Sequence, residues 1–298
     1  MGCTIGIAAG LVAATIWGAT LAVTRIGVEP GSALAVHDLV LLRFGAPALV
    51  LLPFALRALP RIGRRQAVAL LFMVAGGGAP FLLLLGSALR EADAAEAGAL
   101  LPGALPLWVA AASLLKGTVE GHGLTPRRGF GLALMALAVA LVAGPEALGG
   151  GTALLLCAGW LAAAYTLALR HGGLAPLEAT ALVSLASVVG FLPVYAILLH
   201  PGLGAADWGE IALQLAWQGG ASGLVAPIAF ASAVARLGAG RASAFAALSP
   251  VTAACCGFVL IGETPEGLVT LGLLCATVGV AFATWERRRA TEPLRCDA

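Results

Sequence analysis

Residues 79–106, APFLLLLGSALREADAAEAGALLPGALP, and residues 226–250, APIAFASAVARLGAGRASAFAALSP, carry the same marks in the same order. Ala79-Pro80 answers to Ala226-Pro227, Ala88-Leu89-Arg90 to Val234-Ala235-Arg236, and Leu105-Pro106 to Ser249-Pro250. Further along, Gly131-Leu132-Ala133-Leu134 is echoed by Gly272-Leu273-Leu274-Cys275. A repeat of this period divides the chain into two similar halves.

The stretches between these marks are apolar, and so is the rest of the chain. Of 298 residues, 60% are hydrophobic and only 11% are charged, with 40 glycines and 16 prolines. A soluble domain carries about 25% charged residues to face water, so most of this surface must face lipid. Net charge is +2 and aromatic content is 6%, with no basic stripe, which leaves nucleic acid without a binding surface. The cysteines Cys157, Cys255, Cys256 and Cys275 sit inside apolar runs and read as small packing residues rather than a disulfide framework. The first apolar run lacks a charged n-region and is long for a signal h-region, so it reads as a retained first span.

A membrane core about 30 Å thick takes roughly 20 apolar residues per helix. Apolar runs predict ten helices, at 4–24, 36–56, 66–87, 94–114, 127–144, 150–169, 178–199, 208–234, 241–261 and 266–285. Basic residues test the count, because cytoplasmic loops hold the Arg and Lys. Alternate connections hold all 17 basic residues except Arg25, Arg43 and Arg90. Both termini are therefore expected in the cytoplasm. Five helices per half is an odd number, so the second half must enter the membrane from the opposite side. The expected fold is an all-α integral membrane protein of ten transmembrane helices in two inverted five-helix repeats, which can rock about a site at their interface.

These residues resemble the EamA-like family of the drug/metabolite transporter superfamily. The resemblance rests on Trp17-Gly18, Leu42-Arg43-Phe44 and the stretch Ala88 to Pro106 in the first half. In the second it rests on Ala235-Arg236-Leu237-Gly238-Ala239 through Pro250, Gly262-Glu263-Thr264, Leu271-Gly272 and Val278-Gly279-Val280. It implies a first EamA-like repeat at 1–145, a second, inverted one at 149–286, and a basic cytoplasmic tail at 287–298. It also implies export or exchange of small metabolites, often amino acids. The chain departs from the pattern at Gly121-His122-Gly123, at the extra Pro102, and in the acidic loop of Glu91, Asp93 and Glu96. All three departures touch the fourth helix.

A polar side chain in a span is costly unless it faces the bundle interior or water, which makes each one a site candidate. Arg43 lies roughly 10 Å deep in the second helix, at about 1.5 Å per residue. Gln214, Trp217 and Gln218, with Ser222 beyond, stand on one face of the eighth helix. Trp17, Thr20 and Thr24 form a similar stripe in the first. Together they predict a polar cavity in the outer half of the bilayer, with Arg43 anchoring a carboxylate and Thr20, Trp17, Gln214, Trp217 and Gln218 lining it. The competing reading of Arg43 is a snorkelling or helix-bridging arginine paired with Glu96 or a backbone carbonyl. For the glutamines it is interhelical packing. Gly77 and Pro80 in the third helix and Gly220 and Pro227 in the eighth weaken corresponding places and mark a hinge or cavity lining.

Proton coupling requires a titrating carboxylate in the path, and Glu96 is placed for it, whereas Glu263 reads as a structural cap or pair. An enzyme lacks its usual constellations: the four His stand at loops or helix borders and no HExxH occurs. No catalytic residue, metal site or cofactor is expected. A solute channel or lipid-handling protein of the same fold is the alternative to a carrier. The expected partners are a small-molecule substrate, protons if transport is coupled, membrane lipid, and a second copy of the chain if it dimerises. One Lys against 16 Arg points to a high-GC genome and a bacterial inner membrane.

Overall fold

The computed structural model describes residues 2–29, 31–115, 125–144, 149–199, 202–237, 245 and 248–284. Among them every regular element is helical. Thr4–Ile26, Arg64–Ala88, Ala94–Ala112, Pro126–Ala143, Gly150–Leu169 and Leu177–Ile197 are each long and apolar enough to cross a membrane. Their outer faces remain apolar: Ile197 is 77% exposed, Val259 76% and Leu49 75%. Side chains of this kind left open on a finished bundle require lipid as their solvent.

The helices are α1 Gly2–Ile26, α2 Val36–Val50, α3 Leu52–Ala58, α4 Arg64–Gly77, α5 Ala79–Ala88, α6 Ala94–Leu100 and α7 Leu105–Leu115. They continue with α8 Pro126–Ala143, α9 Gly150–Gly172, α10 Pro176–Leu198, α11 Trp208–Gln214, a π-wound segment Leu215–Val225, α12 Ala226–Leu237, α13 Leu248–Ile261 and α14 Gly267–Thr284. Proline placement explains several starts. Pro126 and Pro176 occupy first turns, where a missing N–H costs nothing, and Thr125 caps α8 by accepting from the Arg128 amide at 3.2 Å.

Four expected spans are not straight rods. The second bends by 72° between α2 and Leu52–Arg61, because Pro47 inside α2 and Pro53 in the first turn of α3 interrupt the hydrogen-bond ladder. The third breaks at Gly78 and the fourth at 101–104, around Pro102 and Gly103. The eighth runs unbroken from Trp208 to Leu237 but changes winding midway. Of the ninth, the described helix begins at Leu248 rather than 241, and most of 241–247 lies outside the described residues, as do position 285 at the end of the expected tenth span and the basic tail at 287–298.

Two helices organise the packing. α1 lies against the π segment, α12 and α13, while α9 lies against α4, α5 and α7. α2 packs on the π segment and α10, and α8 pairs with α14. The largest core cluster draws on α1, α2, α5, α6, α9 and α10, with Leu39, Leu82, Leu89, Leu100 and Leu155 at its centre. Connections that the arginine distribution assigns to one side do meet. Arg61 pairs with Glu178 at 3.0 Å and Arg65 donates to the His171 carbonyl at the arginine-rich end. At the other end Ser32 donates to Glu210, and Gly202 donates to Asp38.

Candidate functional site

The polar side chains of α1, α2 and the π segment form one connected network. Gly219 and Gly223 permit it: a Cβ at Gly219 would stand 2.7 Å from the Leu42 carbonyl oxygen, and one at Gly223 would stand 2.9 Å from that of Arg43. The α2 backbone therefore runs close against the π segment, with the Pro47 ring and Ala46 Cβ packed on the same glycines, and the Arg43 Nη1 donates to Gln218 Oε1 at 2.9 Å. That bond fixes the amide's orientation. Gln218 Nε2 then donates to Thr24 Oγ1 at 2.9 Å and to Gln214 Oε1 at 3.4 Å, and Gln214 Nε2 donates to the Val23 carbonyl at 2.9 Å. Both glutamines are fully buried. Trp217 Nε1 donates to Thr20 Oγ1 at 3.1 Å, and Trp17 stacks at a tilt on Phe230, ring centroids 5.2 Å apart.

Five of the six residues expected to line the cavity are thus brought into this network, and Trp17 stands beside it on α1. Two features leave the network chemically incomplete. Among the described residues no carboxylate lies within 4 Å of Arg43, whose guanidinium spends one donor on a neutral amide. One turn further along, the Ser222 hydroxyl is buried and has no hydrogen-bond partner among the described residues. A buried polar group is normally satisfied. A planar guanidinium with unspent donors beside a row of amides suits a carboxylate, which accepts the fork in bidentate fashion.

Glu96 does not join Arg43. Its Oε1 accepts from Thr152 Oγ1 of α9 at 2.6 Å, which removes the Arg43–Glu96 pair from consideration. The hinge residues divide by surroundings. A Cβ at Gly76 would collide with the Leu161 carbonyl, and one at Gly77 would lie 2.7 Å from the Tyr165 ring, so α4 is held close against α9. At the break itself the Ala79 amide donates to Ser187 Oγ at 3.2 Å, with Pro80 following in the first turn of α5. Gly220 by contrast faces open space, and Pro227 stands in the first turn of α12. Gly76→Ala is accordingly expected to destabilise the solubilised protein by about 1–3 kcal/mol, a drop in melting temperature. Gly220→Ala is expected to leave stability unchanged or raised, by helix propensity worth up to about 1 kcal/mol. Equal melting losses in both variants would contradict this assignment of tight and open glycines.

Sequence reasoning reads Glu263 as a structural cap or pair but does not find its partners, which form a second polar cluster at the end away from the arginine-rich loops. Arg25, in the last turn of α1, pairs with Glu263 and with Asp93 at 3.4 Å, and donates to the carbonyls of Leu89 at 2.6 Å and Ala92 at 3.0 Å. Glu263 Oε2 also accepts from the Ala94 amide at 3.0 Å. Gly262, at φ +72°, turns the chain out of α13 and presents Glu263 to this cluster, a conformation that glycine adopts without strain. The available signal was Arg25 itself, an arginine on the arginine-poor side facing an acidic loop. Asp38 was also passed over. It is fully buried and accepts from Tyr195 Oη, the Gly202 amide and the Ala35 amide, tying the start of α2 to the end of α10.

Comparison with known proteins gives the fold and a family. A solved crystal structure of a protein superposes at a TM-score of 0.58 with 20% identity, covering 95% of this chain and 96% of that one, a likeness of fold alone. No curated protein sequence matches the chain. Residues 149–285 match the EamA-like transporter family, whose members are membrane transporters and not enzymes. With its apolar helices, the chain is a multi-pass membrane protein whose segment 149–285 matches the EamA-like transporter family.

Proposed function

We propose that the protein is a secondary transporter that exports a small carboxylate metabolite, most directly an amino acid, across a bacterial inner membrane by alternating access. The observation that carries this reading is Arg43, set among buried amides and bonded to no carboxylate among the described residues. Binding there would give the guanidinium an acid partner.

The inverted repeat, with units at 1–145 and 149–286, is supported by the packing. α1 against the π segment, α12 and α13 corresponds to α9 against α4, α5 and α7, and α2 against the π segment to α10 against α4. The irregular helix of each half is met by a polar side chain from the other half, Ser187 at the Gly78 break and Arg43 at the π segment. Ten spans follow from the two halves taken together. The Arg25–Glu263–Asp93 cluster then closes the outer end, and opening there requires its dissociation.

The test is counterflow in proteoliposomes preloaded with candidate amino acids and small carboxylates, with the medium of overexpressing cells profiled in parallel. Saturable counterflow of one such compound, lost in Arg43→Gln, is the expected result. Transport that neither saturates nor shows counterflow would make the protein a channel, and Arg43→Gln with unaltered transport would remove the anchor. If protons drive the cycle through Glu96, Glu96→Gln is expected to abolish accumulation driven by a pH gradient while leaving counterflow intact. Gradient-driven accumulation that survives in Glu96→Gln would exclude this carboxylate as the coupling group.

A further inference from the structure

At the arginine-rich end, α4, α7 and α9 leave a groove of about 330 Å³ that none of the described residues fills. Its walls are apolar and open outward: Phe72 is 52% exposed, Val68 48% and Trp160 39%. Along α9 the groove runs from His171 to Trp160, roughly 16 Å at 1.5 Å per residue. That is about the depth of one leaflet, half of a hydrocarbon core about 30 Å thick.

The mouth of the groove is cationic. Arg65 lines it and donates through Nε to the His171 carbonyl at 2.9 Å, and its Nη2 donates to the same oxygen. This holds the guanidinium flat across the end of α9 with Nη1 unspent. Arg57, Arg61 and Arg64 stand exposed on the adjoining turn, and of the four arginines only Arg61 has a carboxylate within 4 Å among the described residues. An apolar groove one leaflet deep under a cluster of unneutralised arginines is complementary to a molecule with an anionic head and a long hydrocarbon chain.

We propose that this groove is a binding site for an anionic diacyl phospholipid of the cytoplasmic leaflet, with the headgroup phosphate on Arg64 and Arg65 and one acyl chain laid against Val68, Phe72, Trp160 and Ala164. The site lies between α4, α7 and α9 and shares no residue with the Arg43 network. A protein with no transport activity at all would still bind the lipid.

The test is native mass spectrometry of the full-length protein in detergent, titrated with phosphatidylglycerol, with phosphatidylcholine of the same chains, and with inorganic phosphate as a competitor. Arg64→Gln/Arg65→Gln removes the charge. Ala164→Phe fills the groove without changing charge, and Arg64→Gln alone spares the Arg65–His171 contact. The expected result is preferential retention of one phosphatidylglycerol, reduced about tenfold in the double arginine variant and several-fold in Arg64→Gln, and lost in Ala164→Phe with both arginines present. Equal retention of phosphatidylcholine, or phosphatidylglycerol retention unchanged in the arginine variants, would overturn the proposal. So would displacement of phosphatidylglycerol by inorganic phosphate, which would reduce the site to an anion contact without chain recognition. Retention unaffected by Ala164→Phe would place the lipid outside the groove.

Discussion

Gln218→Glu is expected to lower counterflow of the transported carboxylate about 100-fold while leaving the protein folded. The substitution changes one atom of a side chain whose Oε1 already lies 2.9 Å from the Arg43 Nη1. A carboxylate there supplies the guanidinium with a permanent charged acceptor, and the substrate must compete with it. A hydrogen bond to a charged group contributes about 1.5–3 kcal/mol, and about 2.7 kcal/mol corresponds to a hundredfold change in affinity. Gln218→Ala removes the amide without adding the rival charge, so its loss of binding should be smaller, although it strands Thr24 and Gln214. The ordering of the two variants in the substrate concentration for half-maximal counterflow is the decisive reading. A Gln218→Glu protein that transports as well as wild type would show that the Arg43 donors are not what the substrate meets.

Arg25→Ala is expected to destabilise the solubilised protein by about 3 kcal/mol and to produce the largest melting loss of any single substitution at the loop ends. Both side chains of the Arg25–Glu263 pair are largely covered, 18% and 14% exposed, and Arg25 also satisfies two backbone carbonyls. Removing one member of a buried pair leaves the other charged and uncompensated, at a cost of about 3–5 kcal/mol when burial is complete. Residual exposure places this cluster at the lower end. Glu263→Gln should cost less, because the amide oxygen still accepts from Arg25 and from the Ala94 amide. Melting curves in one detergent for Arg25→Ala, Glu263→Gln and Arg61→Ala, whose partner is a surface contact, test the ranking. An Arg25→Ala loss no larger than that of Arg61→Ala would reduce the cluster to a solvated ion pair.

Much of this architecture is written in the one-dimensional pattern, because lipid as a solvent imposes a single rule on long segments. The runs around Leu82, Leu155 and Leu182 have no other use, and Pro102 and Gly78 mark breaks that the helices do show. The polar stripe Gln214, Trp217, Gln218 was legible from helical spacing, and so was Arg43 as a charge in a span. What spacing did not carry was depth of contact. The bend after α2 depends on two prolines acting together across Leu51, each of which alone is tolerated. The Arg25–Glu263 pair joins residues far apart in sequence, and only the fold brings α13 beside the end of α1. Glu96 reads from the sequence as a candidate proton site, with a pair to Arg43 only as the competing reading of that arginine; its hydrogen bond comes instead from the Thr152 hydroxyl of α9, which no spacing in the sequence singles out.

The change of winding inside Trp208–Leu237 has a mechanical meaning of its own. A helix that passes from α to π and back is a screw whose thread alters along its length. Moving the altered turns by one position keeps the rod continuous and leaves its far end in place, yet rotates the residues inside them about the axis. Gln214 lies before the altered turns, Gln218 and Ser222 lie within them, and Pro227 and Phe230 lie past them. The row facing Arg43 is therefore one angular setting of a shaft, and sliding the π turns would carry Gln218 out of register with Arg43 without unfolding a single helix.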